Sequence, residues 1–87
     1  MDMDAKWALA PQVAVRPEPF GALLYHFGTR RLSFLKDRRL LAVVQGLDAA
    51  PSARAACAAA GLAPEQLGPY ARALATLADT RMIEEVG

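Results

Sequence analysis

Few side chains in this chain are of a type that does covalent or acid–base chemistry, and none has a partner nearby in sequence. His26 is the one histidine and Cys57 the one cysteine. A histidine base needs a carboxylate or nucleophile within hydrogen-bond reach, and a reactive thiol needs a base or cation that favours the thiolate. His26 stands in Leu-Tyr-His-Phe-Gly and Cys57 in Arg-Ala-Ala-Cys-Ala-Ala. The first therefore reads as a structural histidine on a strand, and the second as a small apolar side chain inside a helix. Ser33 lacks the Gly-x-Ser-x-Gly setting of a strand-to-helix nucleophile, and there is neither a Cys-x-x-Cys pair nor a glycine-rich phosphate loop. The expectation is a non-enzymatic chain that needs no cofactor and no metal.

The chemistry that these residue types support is binding. Arg30, Arg31, Lys36, Arg38 and Arg39 place half of the 10 basic residues between one turn and the first helix, while Asp79, Glu84 and Glu85 make the C-terminal end acidic. Against 9 acidic residues the net charge is only +1, so the whole molecule has little pull on nucleic acid or anionic lipid. A cluster of this kind is ordinarily a solvated face. Here, however, Arg30, Arg31, Arg38 and Arg39 bracket a strand whose edge can take a guest strand, and positive charge there favours an acidic guest and raises its on-rate.

The elements that must hold those residues follow from periodicity. Val13 and Val15 alternate with Ala14 and Arg16 in a short first strand that Pro17 and Pro19 end. After the Pro19-Phe20-Gly21 turn, a second strand runs from about Ala22 to Phe27, Gly28-Thr29 breaks it, and a third runs from about Arg31 to Leu35. Asp37 is a good cap for a helix whose apolar residues Leu40, Leu41, Val43, Val44 and Leu47 recur at helical spacing. Ser52 caps a short second helix through Ala60, with Ala53, Ala56, Cys57 and Ala60 on one stripe and Gly61 at the left-handed C-terminal position. A third helix starts at Pro64 or Pro69 and carries Tyr70, Ala73, Leu74, Leu77 and Ala78 to about Asp79. Met82 and Ile83 close the chain as a short segment. Residues 1–12, with Trp7, Leu9 and Pro11, read as an arm, mobile or held by its tryptophan, ahead of a domain at 13–87.

The order predicts an α+β fold, winged helix-turn-helix-like, with a three-stranded antiparallel sheet followed by three helices. A helix-turn-helix raises DNA binding as a rival function. A reading helix presents Arg, Lys, Asn or Gln to base edges, whereas here helix two offers Arg54 among alanines and helix three mainly Gln66 and Arg72. The supply is poor, so no nucleic-acid partner is expected. Another alternative is an assembly subunit whose groove is filled by its own residues 1–12. A single cysteine suits a reducing compartment, and no apolar run approaches the ~20 residues that span a bilayer. With no basic-then-apolar N-terminus, the expectation is a soluble cytoplasmic protein without a membrane partner.

Three stretches carry a resemblance: Val15-Arg-Pro-Glu-Pro-Phe-Gly-Ala-Leu-Leu-Tyr25, Gly28-Thr-Arg-Arg-Leu-Ser-Phe-Leu35, and Tyr70-Ala-Arg-Ala-Leu-Ala-Thr-Leu77 through Ile83. With these the chain resembles the peptide chaperones of mycofactocin biosynthesis, a branch of the PqqD-like recognition elements that serve ribosomally made, post-translationally modified peptides. It departs from the broader family at Leu35-Lys-Asp-Arg-Arg39 and Gln45-Gly-Leu-Asp48, where PqqD-like chains commonly carry Leu-Asn-x-x-Ala and Asp-Gly. The resemblance implies a non-catalytic chaperone that binds the leader of a precursor peptide and presents it to a radical S-adenosylmethionine maturase. It also implies a site at the third strand's edge and the third helix, comprising Arg30, Arg31, Leu32, Ser33, Phe34, Leu35, Arg38, Tyr70, Ala73, Leu74 and Leu77.

Overall fold

The apolar alternation of the first third of the chain builds strands, and the helical spacing of the rest builds helices. In the computed structural model, which describes residues 1–86, β1 (Trp7–Leu9), β2 (Val13–Glu18), β3 (Gly21–His26) and β4 (Leu32–Leu35) precede α1 (Arg38–Gly46), α2 (Ala53–Ala59), α3 (Leu67–Asp79) and β5 (Ile83–Glu85). The three-stranded sheet has the order β2-β3-β4, both pairs antiparallel. The α+β architecture of three strands followed by three helices is therefore present. A second, two-stranded sheet joins β1 to β5, a pairing that the local sequence does not announce.

Two prolines act differently from their sequence reading. Pro17 lies inside β2, paired with Ala22, instead of ending the strand. The Phe27 N–H donates to the Gln12 carbonyl at 2.9 Å, so odd-numbered residues of β3 face β2 and the even-numbered Ala22 faces the other way. The Pro17 nitrogen accordingly points off the sheet, where its missing hydrogen costs no ladder bond. Pro64 opens a 3-10 turn, Pro64–Gln66, and α3 begins after it at Leu67, with Pro69 in the first turn where its nitrogen has no intrahelical duty.

Turns and caps fix how the elements meet. Gly21 has φ +150°, and a Cβ there would stand 1.9 Å from the Leu35 carbonyl oxygen, so only glycine lets β3 start beside the end of β4. Asp37 caps α1 through the Arg39 N–H at 2.7 Å, and Ser52 caps α2 through the Ala55 N–H at 3.0 Å. Helices α2 and α3 end alike, with Gly61 and Arg81 in left-handed backbone, while Leu62 N–H returns to the Cys57 carbonyl at 3.1 Å and Met82 N–H to that of Leu77 at 2.8 Å.

The core lies between the inner face of the sheet and the helices, with Leu24, Leu35, Val43, Val44, Leu47, Leu74, Met82 and Ile83 fully buried. Cys57 is buried there as an apolar side chain, and burial raises its thiol pKa. Trp7 is buried too, its indole N–H donating to the Asp2 carbonyl at 2.8 Å. The N-terminal segment is tied to α2 by Ala53 N–H to Ala5 carbonyl (3.0 Å) and Arg54 N–H to Met3 carbonyl (2.9 Å), and to β5 by strand pairing. None of these backbone partners lies on β4, so the segment does not fill that edge.

Candidate functional site

Strand β4 is hydrogen-bonded on one side only, to β3. The register tells which of its backbone groups are free. His26 N–H donates to the Arg31 carbonyl at 3.0 Å, so even-numbered residues of β3 face β4. Leu24 and Ala22 are opposite Ser33 and Leu35, which therefore turn their N–H and C=O inward. Leu32 and Phe34, opposite Tyr25 and Leu23, turn theirs out to the open edge. The loop before β4 is held by the His26 ring, whose Nδ1 accepts the N–H groups of Gly28 and Thr29, each at 3.0 Å. Within the same loop Arg30 takes left-handed backbone at φ 61°.

Beside the open edge lies α3, and two clefts define the groove between them. One, of about 220 Å³, is lined by Lys36, Asp37, Leu40, Pro69, Tyr70 and Ala73. The other, of about 240 Å³, is lined by Thr29, Arg31, Asp79, Thr80 and Arg81. The first joins the residues just past β4 to the start of α3, and the second joins the residues just before β4 to the end of α3. Strand and helix are thus antiparallel, with a cleft at each end.

The first, upper cleft, lined by Asp37 and Tyr70, is braced by one pair. The Tyr70 hydroxyl donates to Asp37 Oδ2 while Asp37 Oδ1 accepts from the first turn of α1, so one carboxylate fastens α3 to α1. The Tyr70 bond, aided by the Arg39 and Leu40 N–H groups and the Arg39 charge, holds the Asp37 carboxyl below the ordinary aspartate range against the opposing cost of burial. The same bond holds the Tyr70 hydroxyl above its ordinary value.

The residues singled out from the sequence divide into three groups. Arg30, Arg31, Leu32, Ser33, Phe34, Tyr70 and Ala73 lie on the loop, the edge or the cleft walls with exposed or half-buried side chains. Leu35, Leu74 and Leu77 are 1%, 0% and 5% exposed, and they form the core beneath the groove. Arg38 turns toward the β2–β3 turn, donating from Nε to the Pro19 carbonyl at 3.0 Å. Lys36, Asp37, Leu40 and Pro69 also line the upper cleft. Asp37 reads in sequence as a helix cap alone, and its second role depends on a contact with a residue 33 positions away. Among the described residues the ion pairs are Arg16–Glu18 at 2.9 Å and Arg54–Asp4 at 2.8 Å, which leaves Arg30, Arg31, Lys36 and Arg39 without a carboxylate. No helix among the described residues is long and apolar enough to cross a membrane.

Comparison with known proteins gives a consistent result. The family described as peptide chaperone MftB matches residues 6–84. Over 82 residues, 94% of this chain, the sequence is 60% identical to a protein of Mycobacterium tuberculosis and 58% identical to one of Mycobacterium ulcerans, covering 75% of each relative. It is 57% identical over the same length to a protein of Mycolicibacterium smegmatis, of which it covers 80%. All three relatives are named peptide chaperone MftB. No solved structure matches the chain.

Proposed function

This chain belongs to the peptide chaperone MftB family, and from that premise we propose that it holds the leader of a ribosomally made precursor peptide as an added strand on β4 and presents it to a radical S-adenosylmethionine maturase. A peptide-chaperone role is the family's own, and it requires no chemistry from this chain. The observation that carries the finer reading is the outward row of N–H and C=O groups on Leu32 and Phe34 beside a groove walled by α3.

A guest pairing with those groups alternates its side chains between two surroundings. One set enters the groove, where Tyr70 and Ala73 offer an apolar wall at the upper end and Arg31 with Arg81 outnumbers Asp79 at the lower end. Leu35, Leu74 and Leu77 support that groove from below. Arg30, Arg31, Lys36 and Arg39, free of carboxylate partners among the described residues, attract an acidic leader, and Arg38 adds to that field from the β2–β3 turn. The maturase, with its own iron-sulfur chemistry, does the covalent work.

A proline scan of the edge tests this reading. Phe34→Pro removes an outward N–H and adds bulk where the guest lies, whereas Ser33→Pro removes an inward ladder bond. The expected result is that Phe34→Pro stays folded by circular dichroism and binds the precursor peptide at least tenfold more weakly than Phe34→Ala, while Ser33→Pro loses the fold. A folded Phe34→Pro that binds as well as Phe34→Ala means that the peptide does not pair with β4.

A further inference from the structure

The outer face of the three-stranded sheet is apolar across β3 and β4, and no described residue covers it. Register places Leu23 opposite Phe34 and Tyr25 opposite Leu32, so these four side chains share the face turned away from the core. Phe20 and Phe27 extend it at opposite ends, Phe20 tilted against Phe34 with ring centroids 6.5 Å apart and Phe27 edge-on to Tyr25 at 4.9 Å. All three phenylalanines of the chain are therefore on the surface, at 47%, 62% and 60% exposure for Phe20, Phe27 and Phe34, joined by Leu32 at 54%. A contiguous apolar patch of rigid, paired aromatic rings is how a protein interface is built, and a small domain that leaves one open gains solubility and stability by covering it.

We propose that this face docks a partner protein whose surface is apolar at its centre and carboxylate-rich at its rim, and that this partner is the enzyme which receives the guest peptide. The inference rests on the edge-binding reading above. Charge complementarity selects the occupant. Arg30 lies at the Phe27 end and Arg38 at the Phe20 end, both without a carboxylate among the described residues, while Arg16 along β2 is paired with Glu18 at 2.9 Å. A second copy of this chain offers no carboxylate-rich rim, since Glu18 is the acid on this face and is already paired with Arg16. An anionic lipid surface calls for a polybasic cluster of about 4 to 8 residues, which two unpaired arginines at opposite ends of the face do not provide. An acidic rim on a second protein matches them.

Continuity with the edge gives the surface its use. A guest strand on β4 places the side chains opposite Leu32 and Phe34 on this same outer face. A protein seated across Phe34 and Leu32 would touch carrier and guest together, so the loaded carrier binds the partner more tightly than the empty one, and by reciprocity the partner tightens the guest.

The test uses Phe20→Ser combined with Phe27→Ser, two exposed positions outside β4, with the full chain, the precursor peptide and the purified maturase from one genome. Thermal melting first establishes that the double variant is folded. The expected result is a peptide dissociation constant within twofold of wild type and a maturase affinity at least tenfold weaker. Unchanged affinity for the maturase with peptide binding intact overturns the inference and leaves the edge reading standing. If wild type and variant both fail to bind peptide while the variant alone loses the maturase, the edge reading fails and the docking face stands. Loss of peptide binding with maturase binding retained makes the face part of the guest's own site and overturns the inference. So does a wild-type dimer in sedimentation that the double variant dissociates, or wild-type binding to phosphatidylglycerol-containing vesicles that the variant loses.

Discussion

The two faces of the β2-β3-β4 sheet are made from the same strands and the same residue types, and they meet opposite fates. Inward, Ala22, Leu24 and Leu35 are 0–1% exposed and join Val43 and Leu74 in the core. Outward, Leu32 and Phe34 of β4 are more than half exposed, and Leu23 and Tyr25 of β3 are half-buried. Burial of a leucine or phenylalanine stabilises a fold by about 1.5 to 3 kcal/mol, so the inner residues account for stability and the outer ones contribute little of it. The apolar side chains that the fold leaves in water form a contiguous patch, and they adjoin the strand edge that borders the α3 groove.

The largest effect that separates the faces is cavity formation. Leu24→Ala or Leu74→Ala removes a fully buried side chain, and each is expected to cost about 2 to 5 kcal/mol of unfolding free energy, read from denaturant titration. After correction for the unfolded fraction, peptide affinity of Leu74→Ala is expected to fall by a smaller factor than that of Tyr70→Ala, because Leu74 lies beneath the groove and Tyr70 lines it. If Leu74→Ala costs less than 1 kcal/mol, the inner face is not the stabilising one and the comparison fails.

How much of this was legible from residues alone depends on the range of the contact. Alternation from Val13 to Leu35 and the caps Asp37, Ser52 and Gly61 act within a few positions, and the structure uses them as read except at Pro17, which lies inside β2 instead of ending it. Arg81 occupies the left-handed position after α3 without glycine, so the α3 terminus carries no such mark. The β1–β5 pairing joins Trp7 to Glu85, and only the tertiary fold brings these strands together. The candidate edge was readable, since a short strand between two turns at the end of a meander has one neighbour. Which of its N–H groups face outward was not, because Leu32 and Phe34 on one parity and Leu35 on the other are all apolar, so alternation alone does not say which parity faces the core. That needed the His26–Arg31 hydrogen bond. The assignment of Leu35, Leu74 and Leu77 to the floor likewise required burial, as a helical apolar stripe looks the same whether it faces a core or a groove.

Between the two faces in magnitude lies the Asp37–Tyr70 brace, which joins the helices to the upper cleft. Replacing Asp37 by Ala is expected to cost about 1 to 2 kcal/mol through the lost cap, and Tyr70→Phe about 1 kcal/mol through the lost hydrogen bond. The pair also has a pH signature. The folded carboxyl titrates below its unfolded value of about 3.9, so its contribution is fully present above that value and is lost as pH falls through the lower, folded pKa. Asp37→Asn keeps a capping oxygen but does not titrate, so its stability is expected to fall less steeply than wild type below about pH 4. Parallel acid melts of the two proteins would remove the brace from the account.

The smallest expected effect completes the comparison from the outer side. Phe34→Ser gives up the tilted contact with Phe20 and the cross-strand neighbour Leu23, and such pairs contribute about 0.2 to 1 kcal/mol. It also gives up little burial, since the ring is already 60% exposed, and the backbone stays compatible with the strand. The melting temperature is therefore expected to fall by no more than about 4 to 8 °C, the change that 1 kcal/mol produces in a domain of this size, and by much less than for Leu24→Ala. Because Phe34 and Leu74 lie on opposite sides of the sheet, the double variant Phe34→Ser, Leu74→Ala is expected to be additive to within about 0.5 kcal/mol. Coupling well beyond that would show that the outer rings help to pack the core, and the surplus apolar surface on which the docking face depends would no longer be surplus.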